Sequence, residues 1–389
     1  MRTRAVVLAV ASAIAIAAVV PAEARAATRT TYYVSPSSTG TSGEPGKSCA
    51  TAGYRTIGSA LQRARSGDTV VVCAGTYAEH VEIARAVTVK GDGNPVIDAT
   101  SENVAVAVTG DGATVQGLTI TNATGQGVFA SRVRGVTIRN NVVEHNDLGI
   151  AGKSTYKYCT TANFVADCGE GIHLSGVSRS RVEGNEVRNN SGGILVSDEL
   201  GPTHDNVITG NNVVDNTNNC GITVVGHRKG AVDAQGKLHP SVAGVYRNVI
   251  SNNVVTNNGT TGTGGGVLLA NPRAGMAVYR NTIRGNTINQ NGLAGVTLNE
   301  NTTGQYLNGN VVTRNTIGTN NLLKSTTAGN GNTTGVSIYV APGAGKVRVA
   351  VTRNAISSNV YGIYALAGTV LAQSGNTFTD VQTPVYVAS

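Results

Sequence analysis

The feature that most constrains the fold is a repeated unit, N-x-[VI]-x-x-N. Each copy is followed, after a variable gap, by glycine and a β-branched residue, and pairs such as Gly127-Val128 and Gly149-Ile150 recur every 22 residues up to Gly193. The segments between the copies are short and alternate in polarity, which is typical of strands with one buried face. This period predicts a solenoid with one coil per repeat. The unit starts at Asn141, Asn185, Asn211, Asn252, Asn286, Asn315 and Asn354.

The repeated asparagines are expected at the bends between strands. Asn side chains stabilise tight turns, and amides that stack from coil to coil can hydrogen-bond to one another. We therefore interpret the abundance of Asn as architecture and not as a ligand-binding feature.

With these repeats the chain resembles right-handed parallel β-helix proteins of the pectate-lyase-like superfamily, including NosD-type periplasmic proteins, over about residues 30 to 389. The resemblance implies an all-β fold, a single-stranded right-handed parallel β-helix. The segment from Thr31 to Ile83 is similar to the N-terminal cap of this family, and its stripe of Ile57, Leu61 and Ala64 predicts a short helix over the open end of the first coil. We expect a signal peptide at 1–26, a cap with the first coils at 27–100 and the β-helix at 101–389.

The N-terminus has the pattern of a secretory signal. Arg2 and Arg4 precede an apolar run from Ala5 to Val20, and small residues around Ala24 and Ala26 match a cleavage site. We therefore predict a secreted, extracellular protein with no membrane span after cleavage.

Five cysteines are compatible with an oxidising compartment. Pairing them in sequence order predicts the disulfides Cys49–Cys73 and Cys159–Cys168 and leaves Cys220 over. None has CxxC spacing, so a structural role is favoured over zinc or redox chemistry.

The formal net charge of +8 favours an anionic partner. An acidic polysaccharide fits better than nucleic acid, because the cations are scattered and aromatic residues make up only 4% of the chain. We expect a monomer that does not bind nucleic acid.

Three departures from the regular repeat indicate where loops leave the solenoid. The segment between Gly149 and Gly171 is either an extra coil or, as we favour slightly, a protruding loop. Longer turns follow the strands Ile194 to Ser197 and Ile222 to Val225, and both turns leave the same column of strands.

These turns are predicted to converge on one patch, with His173 pointing outward beside them. The members also have ordinary structural explanations, since Asp198 or Asp205 could simply close a turn. The patch contains the catalytic candidates His173, Asp198, Glu199, His204, Asp205 and His227, and the substrate-binding candidates Arg228, Lys229, Lys153, Tyr156 and Tyr158.

Such residue types suit chemistry on a polyuronate. Removal of the C5 proton needs a cation to neutralise the adjacent carboxylate, a base and an acid. Arg228 or Lys229 could neutralise, His204 or His227 could act as the base, and a tyrosine could donate. Hydrolysis would instead use a pair of carboxylates among Asp198, Glu199 and Asp205. No cofactor is required; calcium is the one metal considered, although no recognised calcium loop is present.

Motifs of the better-known enzymes with this fold are absent. There is no Asp-Asp pair, Gly-His-Gly is matched only in part by "GHR" at 226–228, and the epimerases' Asp-Pro-His-Asp leaves only His204-Asp205 as an echo. The pectate lyases' Arg-x-Pro-x-x-Arg is also missing. We therefore hypothesise an enzyme acting on an acidic polysaccharide by β-elimination or C5 epimerisation. A non-catalytic wall- or polysaccharide-binding protein and a glycoside hydrolase are the alternatives.

Overall fold

The computed structural model describes residues 29–38, 43–146, 169–228, 231–232, 238–239, 244–262, 264–326 and 330–389, with only the backbone described at 231, 232, 238 and 239. The predicted signal peptide lies outside these ranges. The described chain is a solenoid of parallel strands, which confirms the predicted right-handed parallel β-helix.

Three parallel sheets run along the solenoid, and we call them faces A, B and C. Face A has twelve strands, at Thr31–Val34, Thr69–Val72, Thr88–Gly91, Thr114–Gln116, Thr137–Arg139, Arg181–Glu183, Val207–Thr209, Val249–Ser251, Thr282–Arg284, Asn310–Thr313, Val347–Thr352 and Thr369–Ser374. Face B contains Val81–Ile83, Val104–Val108, Gln126–Ser131, Glu170–Ser175, Gly192–Ser197, Ile222–Val225, Val267–Asn271, Val296–Glu300 and Thr334–Val340. Face C contains Thr76–Tyr77, Val96–Asp98, Thr119–Thr121, Val142–Glu144, Glu186–Arg188, Asn212–Val214, Val254–Thr256, Thr287–Asn289 and Thr316–Ile317.

Two long strands, Ala355–Ala365 and Thr377–Val387, join faces B and C at the C-terminal end. In the middle of the solenoid a short face D, at Thr203–His204, Val245–Tyr246 and Val278–Tyr279, lies between faces B and A. An antiparallel pair of strands, Ala231–Val232 and Leu238–His239, extends from one of the long turns. The chain order in these coils is therefore B, D, A, C.

A short helix, Ile57–Arg63, covers the first coil as predicted. Ile57, Ala60 and Leu61 are buried, while the carboxylate of Glu79 accepts hydrogen bonds from the amides of Ile57 (2.8 Å) and Gly58 (2.9 Å). A single 3₁₀ turn, Cys49–Thr51, precedes the helix. The disulfide Cys49–Cys73 is present as predicted, whereas Cys159 and Cys168 lie outside the described residues.

The strand register shows which coils are neighbours. Val128 pairs with Ile172, and Ile172 pairs with Ile194, although the first step spans twice as many residues as the second. The coils that contain Val128 and Ile172 are therefore direct neighbours on face B. The predicted extra coil or loop between Gly149 and Gly171 falls mainly on residues 147–168, which lie outside the described residues.

Asparagine ladders hold the corners. Asn211 donates from its backbone N and from Nδ2 to Oδ1 of Asn253, both at 2.9 Å, and from Nδ2 to the carbonyl of Val182 at 3.0 Å. Each of these amides is buried, so an unpaired group would cost about 1–3 kcal/mol. The ladder at the corner between faces A and C consists of Asn141, Asn185, Asn211, Asn253, Asn286, Asn315, Asn354 and Asn376.

Two further ladders repeat this pattern at other corners. The ladder after face C consists of Asn146, Asn190, Asn216, Asn258, Asn291, Asn320 and Asn359. The ladder between faces D and A consists of Asn206, Asn248, Asn281 and Asn310. These four residues also start copies of the motif, although they were not among the repeat starts identified from the sequence.

The predicted starting residue of one repeat is wrong by one position. Both Asn252 and Asn253 satisfy the motif, but the structure places Asn253 in the ladder and leaves Asn252 exposed in the left-handed region at φ 55°. The residue before a ladder Asn turns the corner, and Asn is one of the few residues that adopt this conformation readily.

Substitution of the two neighbouring asparagines tests this register. Asn253→Ala removes the acceptor of two buried donors on Asn211 and a donor to the Ile208 carbonyl, so we expect a loss of about 3 kcal/mol in unfolding free energy. Asn252→Gly suits the left-handed backbone and is expected to change stability by less than about 1 kcal/mol. Thermal unfolding followed by circular dichroism measures both. Equal effects, or a larger loss for Asn252→Gly, would contradict the register.

Candidate active site

His173 lies on the outer side of face B, as predicted. Its neighbours Ile172 and Leu174 point into the core, and it is aligned with Phe129 and Leu195 of the adjacent coils. Its ring centroid is 4.9 Å from that of Phe129, and the residue is only 3% exposed. His173 is thus outward-facing but covered.

Four of the predicted residues form a buried acid–histidine cluster: His173, Asp198, Glu199 and His227. Glu199 is its centre, with Oε1 2.5 Å from Nδ1 of His227 and Oε2 3.7 Å from Nε2 of His173. Burial alone would raise the pKa of Glu199, but contacts with the two histidines outweigh it and hold the pKa well below its ordinary value. The cluster therefore keeps Glu199 ionised.

Two serines of face B complete the environment of Glu199. The hydroxyls of Ser175, at 2.8 Å, and of Ser197 donate to Oε2, and Ser175 Oγ also accepts from the amide of Leu200. These bonds tie the turn after Ser197 to the preceding coil.

Asp198 is fully buried and joins the turn to the following coil. Its Oδ1 accepts from the amides of His227 (2.6 Å) and Arg228 (2.9 Å), while Oδ2 has no hydrogen-bond partner among the described residues. Burial raises the pKa of Asp198 to about 6 against the opposing effect of the two amides. This geometry is that of a turn-closing residue. The side chain of Arg228 is exposed.

His204 and Asp205 lie apart from the cluster, at the corner between faces D and A. Nδ1 of His204 is 2.8 Å from Asp205 Oδ2, and Arg247 binds the same carboxylate with Nε at 2.7 Å and with a terminal nitrogen at 2.8 Å. The His204 side chain is 24% exposed. We call these three residues the His204 relay. The predicted single patch is thus divided into two groups.

The relay fixes the tautomer of His204. Hydrogen bonds from Arg247 hold the pKa of Asp205 below its ordinary range, which outweighs its partial burial, so this carboxylate is ionised and can only accept. The Nδ1 of His204 must therefore carry the proton that is donated to Asp205. In the neutral imidazole this leaves the lone pair on Nε2, which is the arrangement of an oriented general base.

A column of aromatic rings continues from His204 and was not predicted from the sequence. The ring of His204 stacks on Tyr246 at 4.8 Å and 3°, Tyr246 stacks on Tyr279 at 4.9 Å, and Tyr306 follows edge-on at 5.4 Å. The signal was available: "THDN" at 203–206 aligns with "VYRN" at 245–248 and again at 278–281.

Four of the predicted substrate-binding residues fall outside the part of the chain that the structure describes. Lys153, Tyr156, Tyr158 and Lys229 lie outside the described residues, and so does any contact they make. In the part of the chain that the structure describes, no group of three or more His, Cys, Asp or Glu side chains is arranged to hold a metal ion. No helix in that part is long and apolar enough to cross a membrane.

Two family models match the chain. A model described as "right handed beta helix region" matches residues 104–238, and one described as "periplasmic copper-binding protein (NosD)" matches residues 235–389. A search of curated protein sequences gives no match.

Many solved structures share the fold at low identity. Pectate lyase Pel9A aligns with a TM-score of 0.54 and 17% identity over 90% of this chain and 78% of its own. The Dettilon tailspike protein aligns at 0.55 and 16% over 92% and 68%. The catalytic domain of a GH87 α-1,3-glucanase aligns at 0.56 and 14% over 90% and 59%. At these identities the likeness establishes the architecture alone.

The copper in one family description does not fit the residues of this chain. Protein sites for copper use imidazole, thiolate and thioether ligands. The matched segment 235–389 contains one histidine, His239, one methionine, Met276, which is buried, and no cysteine. The match therefore reflects the repeat architecture, and we derive no metal chemistry from it.

The raised pKa of Asp198 predicts a pH dependence of stability. Between pH 3.8 and about 6 the folded protein holds a proton on Asp198 that the unfolded chain has released, so this residue makes stability fall as pH rises. Asp198→Asn keeps an acceptor for the two amides and cannot ionise. We expect the variant to gain about 3 kcal/mol relative to the parent between pH 4 and pH 7, on the scale of ~1.4 kcal/mol per pKa unit. Urea unfolding of both proteins across this range measures the difference, and a constant difference would show that Asp198 does not resist ionisation.

Proposed function

We propose that this chain, a right-handed parallel β-helix protein of the pectate-lyase-like superfamily, acts on an acidic polysaccharide outside the cytoplasm. The reaction is β-elimination or C5 epimerisation, with His204 as the base. The observation that carries the proposal is the His204 relay, because a partly exposed imidazole whose tautomer is fixed is suited to proton abstraction. The disulfide Cys49–Cys73 supports the location.

In this mechanism Nε2 of His204 removes the proton from C5 of a uronate, and the electron pair moves towards the adjacent carboxylate. A cation must neutralise that carboxylate as the charge develops. Arg179 is the nearest candidate by register, because its backbone N donates to the carbonyl of His204 at 3.2 Å and its side chain is exposed. The ionised Asp205 stabilises the imidazolium that results.

The next step distinguishes the two reactions. In elimination the bond from C4 to the glycosidic oxygen breaks, a C4–C5 double bond forms, and the imidazolium returns its proton to the leaving oxygen on the same face. In epimerisation the C4–O bond stays intact and C5 receives a proton on the opposite face. Tyr156 and Tyr158, the donors predicted from sequence, remain hypotheses for that step.

Hydrolysis by Asp198 and Glu199 has less support. A glycosidase needs two carboxyl groups on either side of the scissile bond. Asp198 is fully buried on two backbone amides, and Glu199 is enclosed by His173, His227 and two serines. We assign the buried acid–histidine cluster to positioning the turn that leads to His204.

Substitutions of the relay test the proposal. His204→Gln is expected to lower turnover of a polyuronate by about 10²–10⁴-fold, the contribution of a general base. Asp205→Asn retains a residue that tolerates the left-handed backbone but removes the fixed charge, and we expect a large loss here too. His145→Asn, at another left-handed corner, is the matched control and should keep full activity.

The assay follows unsaturated product by ultraviolet absorbance and C5 exchange in heavy water, on a panel of polyuronates and glycosaminoglycans. Unchanged turnover in His204→Gln would place the base elsewhere. If the parent protein binds these substrates but turns over none of them, the enzyme hypothesis is wrong and the non-catalytic binding function takes its place.

A further inference from the structure

The C-terminal half of the solenoid has a strongly unbalanced charge. From residue 244 onward the sequence has nine Lys and Arg residues but only two acids, Glu300 and Asp380. Glu300 is buried, and burial raises its pKa to about 7, while Asp380 lies in the last strand, away from face A. The cations of this half are therefore not neutralised by neighbouring carboxylates.

Six of these cations lie on or beside face A, and we call them the arginine face. Arg284 and Arg348 point outward from strands of that face, because their strand neighbours Ile283, Val347 and Val349 belong to the core. The other four stand at the corners, directly before ladder asparagines. The members are Arg247, Arg280, Arg284, Arg314, Arg348 and Arg353, and all six are exposed.

The ion pairs differ along face A. In its N-terminal half Arg134 pairs with Asp111 at 3.1 Å and Arg181 with Glu183 at 2.8 Å. On the arginine face only Arg247 has a carboxylate, that of Asp205, and the other five form no ion pair with a described residue. Five guanidinium groups are thus available to an external anion.

The corner arginines occupy positions that do not suit them. Arg314 and Arg353 are left-handed, both at φ 56°, whereas glycine occupies the equivalent corner in neighbouring coils, at Gly285 and Gly375. A non-glycine residue in this region costs about 1 kcal/mol or more. Arginine is therefore retained at a cost in stability that the fold itself does not require.

We infer that the arginine face, which shares only Arg247 with the His204 relay, is a binding surface for an acidic polysaccharide. Arginine forms bidentate bonds with carboxylate and sulfate groups. The arginines lie in two columns that are about 13 Å apart along the strand direction, and successive coils rise by about 4.8 Å. Neighbouring cations on this surface are therefore separated by the length of one sugar to a few sugars. Nucleic acid fits less well, since single strands need exposed aromatic rings for base stacking, and the neighbouring Tyr246 and Tyr279 are buried and stacked on each other. The other outward positions of these strands are small, such as Ser251, Thr313 and Ala350.

The surface begins at Arg247, which also holds Asp205, so a chain bound along it would extend to the His204 relay. Binding does not depend on the proposed reaction, however. The two proposals can therefore fail independently.

The left-handed corners allow a test that does not weaken the fold. The double variant Arg314→Gly and Arg353→Gly removes two charges and replaces strained residues by glycine, so its thermal stability should equal or exceed that of the parent. The matched control removes two left-handed cations elsewhere, by Arg132→Gly and Lys324→Gly. Binding of polygalacturonate and alginate is measured at several salt concentrations, with dextran and duplex DNA as comparison ligands.

We expect the Arg314/Arg353 variant to bind the polyuronates about tenfold more weakly at low salt, with a shallower salt dependence, and the control variant to bind like the parent. His204→Gln should bind normally, which separates this surface from catalysis. Equal weakening by both double variants would reduce the effect to net charge and overturn the proposal. Parent-like binding by the Arg314/Arg353 variant, or tighter binding of DNA than of either polyuronate, would also overturn it.

Discussion

The structure depends on the hydrogen bond that each buried asparagine makes to the asparagine one coil away. A solenoid has no globular core to fix its corners, and a buried amide without a partner is costly. The ladder satisfies the donor and the acceptor of each side-chain amide at once. Asn211, for example, donates to Asn253 while its own Oδ1 accepts from Asn185. Strand register, coil spacing and the inward direction of the β-branched residues all follow from this contact.

The ladder also determines where functional side chains can stand. The residue before a ladder asparagine turns the corner in the left-handed region, with Thr319 as an exception, and where this residue is not glycine its side chain projects from the corner. At the corner before Asn206 and Asn248 this residue is Asp205 and then Arg247, which brings an acid and a cation together although 42 residues separate them. The ladder asparagines Asn206 and Asn248 thus fix the backbone of this corner. The residues of the His204 relay occupy positions on that fixed backbone.

The repeated features of the fold could be predicted from the sequence. The predictions failed where more than one position fitted the repeat. The fold could be predicted from the motif, its period and the family resemblance, and the capping helix from its apolar stripe. The Cys49–Cys73 disulfide followed from pairing the cysteines in sequence order. The motif fits both Asn252 and Asn253, so only the contacts between coils could decide which of them belongs to the ladder. The convergence of Asp198, Glu199, His173 and His227 was predicted from the common strand column. The burial of these four side chains was not predicted, because the exposure of a residue on an outward face depends on which segments cover that face. The separation of His204 from this cluster depends on face D, whose strands are two residues long and give almost no periodic signal.

The electrostatics of the corner between faces D and A connect the two proposed surfaces. Of the successive corner residues Arg179, Asp205, Arg247 and Arg280, only Asp205 is acidic. An acid between arginines of adjacent coils stays ionised, and an ionised neighbour is what fixes the tautomer of His204. The same arginines make the surface attractive to an anionic chain. A basic corner therefore favours both the ionised Asp205 that orients the proposed base and the binding of an anionic substrate. This explains why this position on the solenoid carries one acid among cations and not an acidic cluster.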